Sequence, residues 1–309
     1  MEETMMLEHR ISIHPNRPNE CRWCHREILR RRGRHGRLFY YHKSHLKRRV
    51  GESRQHQLGK QAVAEYFKAR EYHVELEQYL PQVKQRADIV LVPKQGSMIV
   101  IEYQCAKITP LNVQRRTHRY QHVGFQIHWL LGPTYQQHIP YAFLKLTPAG
   151  LQANFFDNHH WQKIIYDGAN PLVQREQITR PARLRQQIMR GLYFCKTPYR
   201  QIQNELYQIG YNLSDIPVCC LPTETFPPGP KAPYWYILLR LWLALSTGPK
   251  SVEALVNVMT PIAWHQSAFI TETVWRKYCL ADILRVWTAQ GVICRNHDLI
   301  CLNEKSIIK

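Results

Sequence analysis

Acidic residues are scarce in this chain, and no hydrophobic run is long enough to cross a membrane. Its 309 residues include 23 Asp and Glu against 42 Lys and Arg, which gives a formal net charge of +19. Such an excess favours a polyanionic partner, usually a nucleic acid; the alternative is a basic protein whose charge serves only solubility. The most apolar run, Tyr234 to Leu245, contains Arg240 and is too short to span a bilayer. We expect it to form a helix in the protein core.

The sequence also lacks the features of a secreted protein. Its first residues do not show the charged and then apolar profile of a signal peptide. The nine Cys residues are odd in number and scattered along the chain, which fits reduced thiols better than a disulfide framework. We therefore expect a cytoplasmic protein without a membrane partner.

Residues 1–50 are predicted to form a small basic module. They hold thirteen Lys or Arg and five Glu, whereas residues 251–309 hold six basic and five acidic residues. The module contains a Cys-x2-Cys pair followed by a His-x2-His pair, a spacing that can bind tetrahedral Zn²⁺. The four candidate ligands are Cys21, Cys24, His42 and His45. A zinc-finger-like site would help so small and polar a piece to fold; the alternative is two free thiols and two surface imidazoles.

The same module mixes cations with aromatic side chains. Trp23 and the segment Phe39-Tyr40-Tyr41 accompany an arginine-rich stretch. This combination suits binding to a phosphate backbone with stacking on single-stranded bases; a solvated basic helix is the alternative. The candidate nucleic-acid-binding residues here are Arg30, Arg31, Arg32 and Arg34.

Hydrophobic periodicity predicts an α/β domain at residues 51–150 and a mainly α-helical region at residues 151–309. Three strands in a row, then a helix leading to one more strand, imply a mixed sheet with a crossover helix. The predicted elements are a helix at 52–70, strands at 72–80, 87–92 and 98–105, a helix at 111–122 and a strand at 126–131. In the C-terminal region we expect helices at 255–259 and 281–289 and a closing hairpin at 292–302.

Two of these predicted strands carry single carboxylates among apolar residues. Asp88 opens the run Ile89-Val90-Leu91-Val92, and Glu102 follows Met98-Ile99-Val100-Ile101. A buried carboxylate is costly unless a metal or a partner charge neutralises it. Two acids on neighbouring strands, with Gln104 on the same face as Glu102, predict a site for Mg²⁺ or Mn²⁺. The alternative is that Asp88 pairs with Arg86 or begins its strand at a surface, and that Glu102 faces solvent on an edge strand.

The preceding helix presents Glu52, His56 and Lys60 on one face, four residues apart. On a solvated surface this spacing forms only an ion-pair ladder. Beside a metal site, Glu52 could be a further ligand, and Lys60 could carry a charge facing the phosphate.

The order of these motifs resembles the competence protein CoiA family, whose core is similar to the PD-(D/E)xK nucleases. The resemblance is strong over roughly residues 50–132 and looser at Tyr199 to Pro217. It rests on Glu52-Ser53 with His56 and Lys60, Val74-Glu75-Leu76-Glu77, Arg86-Ala87-Asp88, Ile101-Glu102-Tyr103-Gln104-Cys105, Arg115-Arg116-Thr117 with Tyr120, and His128-Trp129-Leu130-Leu131-Gly132.

The resemblance implies a restriction-endonuclease-like core and a metal-dependent deoxyribonuclease of natural transformation or recombination. Asp88 and Glu102 would be the metal ligands, Glu52 the helix acid, and Gln104 the occupant of the usual Lys position. Gln104 cannot supply a positive charge, so Lys60 or Lys107 would have to supply one. Arg115, Arg116 and Tyr120 would line the cleft for single-stranded or branched DNA. A recombinase or other competence proteins are the expected partners. The alternative is an accessory that binds single-stranded DNA without cutting it.

Overall fold

The N-terminal part of the chain forms two short β-hairpins. The computed structural model describes residues 13–14, 17–21, 27–32, 38–42, 53–136, 139–157, 159–166 and 180–303, which fall into two compact units, Met1–Arg54 and Gln55–Lys309. In the first unit, β1 (Ile13–His14) pairs with β2 (Arg17–Cys21), and β3 (Ile28–Arg32) pairs with β4 (Leu38–His42). Cys24, His45 and the side chains of Cys21 and His42 lie outside the described residues, so the zinc site stays a prediction.

The predicted α/β class is confirmed by a central mixed sheet flanked by helices. The elements are α1 (Arg54–Lys68), β5 (His73–Leu76), β6 (Tyr79–Leu80), β7 (Gln85–Arg86), β8 (Ile89–Val92), β9 (Ile99–Gln104), α2 (Pro110–His122) and β10 (Gln126–Leu131). The expected strand at 72–80 is broken at Glu77, whose φ is +56°. Because of this break, β6 and β7 form a separate two-stranded hairpin, which lies between β5 and β8 in the sequence but is not part of the central sheet.

Three further strands extend the sheet beyond the part that the sequence predicts. They are β11 (Lys145–Thr147), β12 (Gly150–Asp157) and β13 (His160–Tyr166), and the strand order is β11-β12-β10-β9-β8-β5 with β13 paired to β12. The alternation of buried Leu151, Ala153 and Phe155 with polar neighbours is a strand signal that the sequence analysis missed. The sheet therefore continues across residue 150, where the sequence analysis places a domain boundary; that boundary stays a prediction.

Helix α1 packs on one face of the sheet and helix α2 on the other. Val63 and Phe67 of α1 share a core with Ile89, Ile101 and Tyr103. The opposite face joins α2 to a larger core that continues into the C-terminal helices and includes Val90, Val100, Val113, Tyr120 and Trp129. Strands β9 and β10 are parallel and are connected through α2, which gives this helix its place over the centre of the sheet.

The C-terminal region is mainly helical, and its expected core helix and closing hairpin are confirmed. Its elements are α3 (Pro181–Tyr193), α4 (Tyr199–Tyr207), α5 (Tyr234–Ser246), β14 (Lys250–Ser251), α6 (Val252–Val258), α7 (Glu272–Ala289), β15 (Ile293–Asn296) and β16 (Leu299–Leu302). Short 3-10 turns lie at Pro133–Tyr135, Tyr141–Phe143, Leu213–Asp215 and Val218–Cys220. Among the described residues, no helix combines the length and apolar character needed to cross a membrane.

Gly59 sets how closely α1 approaches the sheet. It lies beside the aromatic ring of Tyr103, and a Cβ atom at this position would overlap that ring. We expect Gly59→Ala to lower the free energy of unfolding by about 1–3 kcal/mol through overpacking. This loss would exceed the roughly 1 kcal/mol gained from the better helix propensity of Ala. Urea denaturation followed by circular dichroism measures the difference.

The matched control is Gln61→Ala, at an exposed position of the same helix. It is expected to change the stability by no more than about 0.5 kcal/mol. A Gly59→Ala protein as stable as the wild type would show that α1 has room to shift away from Tyr103.

Candidate functional site

Two acidic side chains lie close to each other at the centre of the sheet, one just before β8 and one on β9. Strand β8 pairs antiparallel with β9, with Ile89 opposite Ile101, and the same register brings Asp88 level with Glu102. The backbone N–H of Tyr103 donates to Asp88 Oδ2 at 3.0 Å. By the two-residue strand period, Glu102 belongs to the sheet face that α2 covers, whereas Asp88 lies just before the first residue of β8 and contacts His56 of α1. The structure therefore brings together the two carboxylates that the sequence singles out.

Two of the three alternative explanations for these acids fail; the third holds in part, because Asp88 directly precedes β8 and its side chain is 18% exposed. The guanidinium of Arg86 binds Glu77, with Nε 2.6 Å from Glu77 Oε2, and not Asp88. Glu102 is 1% exposed on a strand that lies between β8 and β10, so it does not face solvent on an edge. The carboxylate of Glu102 is buried and needs partners inside the protein.

Helix α2 supplies the partners of Glu102. Arg116 Nη2 lies 2.5 Å from Glu102 Oε1, and the Tyr120 hydroxyl donates to the same oxygen at 2.6 Å. Burial and the charge of Asp88 nevertheless raise the pKa of Glu102 to about 8, against the opposing effects of Arg116 and Tyr120. Arg116 and Tyr120 therefore do not fully offset the increase in this pKa that burial and the Asp88 charge cause.

Helix α1 acts on Asp88 in the opposite direction. His56 Nε2 lies 3.5 Å from Asp88 Oδ2 and also hydrogen-bonds the carbonyl oxygen of Tyr103. Burial raises the pKa of Asp88, but His56, the Tyr103 N–H and Lys60 together outweigh burial and leave this pKa below its ordinary value. Adjacent carboxyl groups with pKa values pushed apart are typical of sites where one group stays ionised and the other can hold a proton.

A second cluster of charges lies at the edge of this site. Lys60 is 4% exposed and forms an ion pair with Glu77 Oε1. The backbone N–H of Glu77 donates to the carbonyl oxygen of Asp88 at 2.9 Å, so the pair is adjacent to the carboxylate site. The sequence pattern indicates Lys60 but neither its ion-pair partner Glu77 nor Arg86, the second cation that binds Glu77. Glu77 and Arg86 are distant from Lys60 in the sequence, so the local pattern does not indicate a cluster that forms where β5 pairs with β8.

Two further predicted site residues are Gln104, which the structure describes, and Glu52, which it does not. Gln104, at the end of β9, donates from its side-chain amide to the carbonyl oxygen of Ala106 at 2.6 Å. It is half-buried on the same side of the strand as Glu102 by the strand period. Glu52 lies outside the described residues, so its role as the helix acid stays a prediction.

Comparison with known proteins relates part of the chain to one protein family. Residues 52–181 match the family model described as competence protein CoiA, nuclease-like domain. This part of the chain is therefore similar to the nuclease-like domain of the CoiA family. Competence protein CoiA of Bacillus subtilis (strain 168) is 31% identical over 113 residues, which cover 37% of this chain and 27% of that protein. The chain thus spans well under half of the length of this relative. No solved structure matches the chain.

The carboxylate pair of the CoiA-like domain suits a hard divalent cation. Mg²⁺ in phosphoryl-transfer sites uses one or two protein carboxylates and takes its other ligands from water and substrate phosphates. Asp88 and Glu102 provide this minimal set, and a cation would oppose the effects of burial and of the Asp88 charge that raise the pKa of Glu102. Within the described part of the chain, no three His, Cys, Asp or Glu side chains are grouped to bind a metal. A cation here would therefore depend on substrate and water.

Helix α2 of the CoiA-like domain divides its basic residues between two faces. Arg116 and Tyr120 point towards Glu102, and Tyr120 is fully buried. This burial argues against the predicted contact of Tyr120 with nucleic acid; its hydroxyl serves the carboxylate. Arg115 is exposed on the outer face. A cleft of about 570 Å³ beside that face is lined by Gln82, Val83, Lys84, His118, Arg119, His122 and Val123.

The arginines predicted to bind nucleic acid in the N-terminal unit are partly described. Arg30 and Arg32 are exposed on β3. The side chain of Arg31 and the whole of Arg34 lie outside the described residues. Their contact with nucleic acid stays a prediction.

Proposed function

We propose that the CoiA-like domain hydrolyses phosphodiester bonds in DNA with Mg²⁺ or Mn²⁺ as cofactor. The observation that carries this proposal is the pair of Asp88, just before β8, and Glu102, on the adjacent strand β9, with pKa values displaced in opposite directions. The setting, natural transformation or recombination in the cytoplasm with other competence proteins or a recombinase as partners, follows from the family. Its relative in Bacillus subtilis is named a competence protein.

Each residue of the site has a proposed task. Asp88, kept ionised by His56 and Lys60, would hold the cation together with Glu102. When bound, that cation would lower the pKa of a water molecule and offset negative charge on the scissile phosphate. Lys60 would place a positive charge beside the phosphate, because Gln104 offers only hydrogen bonds. Arg116 and Tyr120 would orient Glu102.

The substrate class follows from charge. The outer cleft beside α2 presents Lys84, Arg119 and two histidines, and α2 itself contains no acidic residue. A surface of this kind binds phosphates of the DNA backbone without reading base sequence. We propose single-stranded or branched DNA as the substrate.

Gln104 favours a second candidate function. A neutral amide, already bonded to the Ala106 carbonyl oxygen, stands where the nuclease pattern has a lysine. The same groove could therefore hold single-stranded DNA for a recombinase without cutting it.

A cleavage assay separates the two functions. Purified full-length protein would be incubated with end-labelled single-stranded, duplex and branched DNA, with Mg²⁺, Mn²⁺ or a chelator. The nuclease proposal expects products only with a divalent cation. Intact DNA under every condition, together with salt-sensitive binding, would support the accessory function instead.

The proposed role of Lys60 leads to a charge-relocation experiment. We expect Lys60→Met to lower the cleavage rate about 100-fold, the effect typical of removing one group that stabilises the transition state. The double variant Lys60→Met/Gln104→Lys is expected to recover part of this loss, because it returns a positive charge to the usual position. Single-turnover cleavage rates measure both effects.

Lys68→Met is the matched control, because Lys68 lies on the same helix but is exposed at its end. Its cleavage rate is expected to equal that of the wild type. If Lys60→Met cuts DNA at the wild-type rate, Lys60 is only a structural partner of Glu77.

A further inference from the structure

The segment from Arg180 to Asn204, almost entirely beyond the matched CoiA region, is basic without any acidic residue. It contains five Arg and one Lys and no Asp or Glu. Most of these cations are exposed on α3, on α4 or in the turn between the two helices. They are Arg180, Arg183, Arg190, Lys196 and Arg200.

Helix α3 is divided into a packed face and a solvent face. Ile188 is fully buried, and Gly191 lets the ring of Tyr199 approach so closely that a Cβ there would overlap it. Tyr199 in turn stacks on Trp235 of α5, with ring centroids 6.1 Å apart and planes 4° apart. These contacts fix the helix to the core and decide which of its residues face solvent.

The solvent face ends in two exposed aromatic rings. Arg183, Gln187, Arg190 and Phe194 follow each other at spacings of four, three and four residues, so they lie along one side of the helix. Tyr193 is 83% exposed and Phe194 is 58% exposed. Contiguous exposed apolar surface rimmed by polar residues is a feature of interaction sites, and these two rings are adjacent.

The end of α3 holds these rings in a defined place. Cys195 has a φ of +50°, its N–H donates to the Leu192 carbonyl at 2.9 Å, and the N–H of Lys196 donates to the Gly191 carbonyl at 2.9 Å. This pair of bonds is the Schellman motif that terminates helices. The Tyr193 and Phe194 rings meet edge to face, with centroids 5.0 Å apart, and Lys196 Nζ lies 5.8 Å from the Phe194 ring centroid.

We infer that this surface, the α3 face (Arg183, Gln187, Arg190, Tyr193, Phe194 and Lys196), binds single-stranded DNA. The inference rests on the proposed function, in that the chain acts on DNA, and it adds a second contact outside the nuclease-like site. Unpaired bases stack on exposed aromatic rings whatever their sequence, and cations beside the rings bind the backbone.

The two parts of the α3 face have different tasks. A helix C-terminus carries a partial negative charge, which disfavours phosphate near Tyr193 and Phe194 and favours uncharged bases there. Arg183 and Arg190 lie two turns apart, about 10 Å along the axis, and would bind phosphates. Duplex DNA keeps its bases stacked inside, so the rings give the α3 face a preference for single strands.

Binding of labelled oligo(dT) to the full chain in a chelator, followed by fluorescence anisotropy, tests the inference. Tyr193→Ala/Phe194→Ala is expected to weaken binding about tenfold or more, whereas Tyr193→Trp/Phe194→Trp should retain it. Arg183→Gln/Arg190→Gln is expected to reduce the slope of log K against log salt by about 1.4, that is about 0.7 for each lost phosphate contact.

Tyr207→Ala/Ile209→Ala is the matched control, because these residues are 57% and 64% exposed at the other end of α4. It should bind oligo(dT) like the wild type. Equal binding by the wild type and the Tyr193→Ala/Phe194→Ala protein would overturn the inference, as would an equal loss in the control. A large loss of thermal stability in Tyr193→Ala/Phe194→Ala would also overturn it, since the rings would then pack within the chain. The inference would also be overturned if the Tyr193→Ala/Phe194→Ala protein no longer sedimented with phosphatidylserine vesicles but still bound DNA like the wild type.

The chelator keeps this test apart from the proposed nuclease function. If DNA is never cut but the α3 variants bind less tightly, the nuclease proposal fails and the inference stands. If DNA is cut as proposed and the α3 variants bind normally, only the inference fails.

Discussion

Asp88→Asn is expected to reduce cation-dependent DNA cleavage at least about 100-fold. The substitution keeps the shape of the side chain and its hydrogen bond from the Tyr103 N–H, but it removes the negative charge that would hold the cation. Glu102→Gln is expected to have an effect of similar size for the same reason. Cleavage rates at saturating Mg²⁺ or Mn²⁺ measure the loss, and oligo(dT) binding in a chelator shows that the DNA contacts remain.

Glu75→Gln is the matched control for this pair. Glu75 lies on β5 of the same sheet and pairs with the exposed His73, with His73 Nε2 3.2 Å from Glu75 Oε1. Its cleavage rate should equal that of the wild type. Full cleavage by both Asp88→Asn and Glu102→Gln would mean that hydrolysis, if observed, takes place elsewhere in the chain.

The same Glu102→Gln protein is expected to be more stable than the wild type at pH 8 without divalent cations. Because burial and Asp88 raise the pKa of Glu102 from 4.5 to about 8, the folded protein holds a proton that the unfolded chain releases. The wild type therefore loses stability as the pH rises through this range, by up to about 1.4 kcal/mol per pH unit. Gln cannot ionise, and its carbonyl oxygen can accept from Arg116 and Tyr120, so the variant avoids this loss.

Urea denaturation at pH 5, 6.5 and 8 would measure the difference, which should grow with pH and reach several kcal/mol at pH 8. Glu65→Gln, at an exposed position of α1, should differ from the wild type by no more than about 0.5 kcal/mol throughout. If the difference in free energy of unfolding between Glu102→Gln and the wild type stays constant with pH, Glu102 is ionised in the folded protein. A gap that narrows when Mg²⁺ is added would support the cation site, because binding stabilises only the folded wild type.

Together, the cleavage and denaturation experiments would show that Glu102 both supports DNA cleavage and lowers the stability of the fold. A carboxylate held in an apolar interior is costly, and an enzyme retains such a residue when the chemistry requires it. The wild type would then carry a stability cost at Glu102 that a cation removes when the site is in use.

The central helices and strands were predictable from the sequence because their hydrophobic patterns are strong. The run around Val90 and the run around Val100 are continuous and β-branched, as buried central strands are. The spacing of Val63 and Phe67 has the helical period. Strand β12 carried a usable alternation of the apolar residues Leu151, Ala153 and Phe155 with polar residues, but its place among the Pro-containing turns after Pro140 hid it.

The two acids that the sequence singles out lie close together in the fold, and their role as a metal site stays a prediction; the contacts around them come from the tertiary structure. Nothing in the local pattern of α2 tells Arg115 from Arg116, yet one faces solvent and the other binds Glu102. The ion pair between Lys60 and Glu77 joins residues on two different elements. Such contacts depend on strand register and helix rotation, which a single sequence does not specify.

The sequence by itself determined the α/β class, the basic character of the chain and the choice of Asp88 and Glu102, because buried carboxylates and charge imbalance are visible in composition and local pattern. Only the tertiary structure decided that the two acids lie level with each other, that His56 lowers the pKa of Asp88 whereas burial and Asp88 raise the pKa of Glu102, and that two aromatic rings at the end of α3 remain exposed. The reason is physical: desolvation and Coulomb interactions act over a few ångströms between residues far apart in the chain. Their effects are set only when the strands and helices have packed.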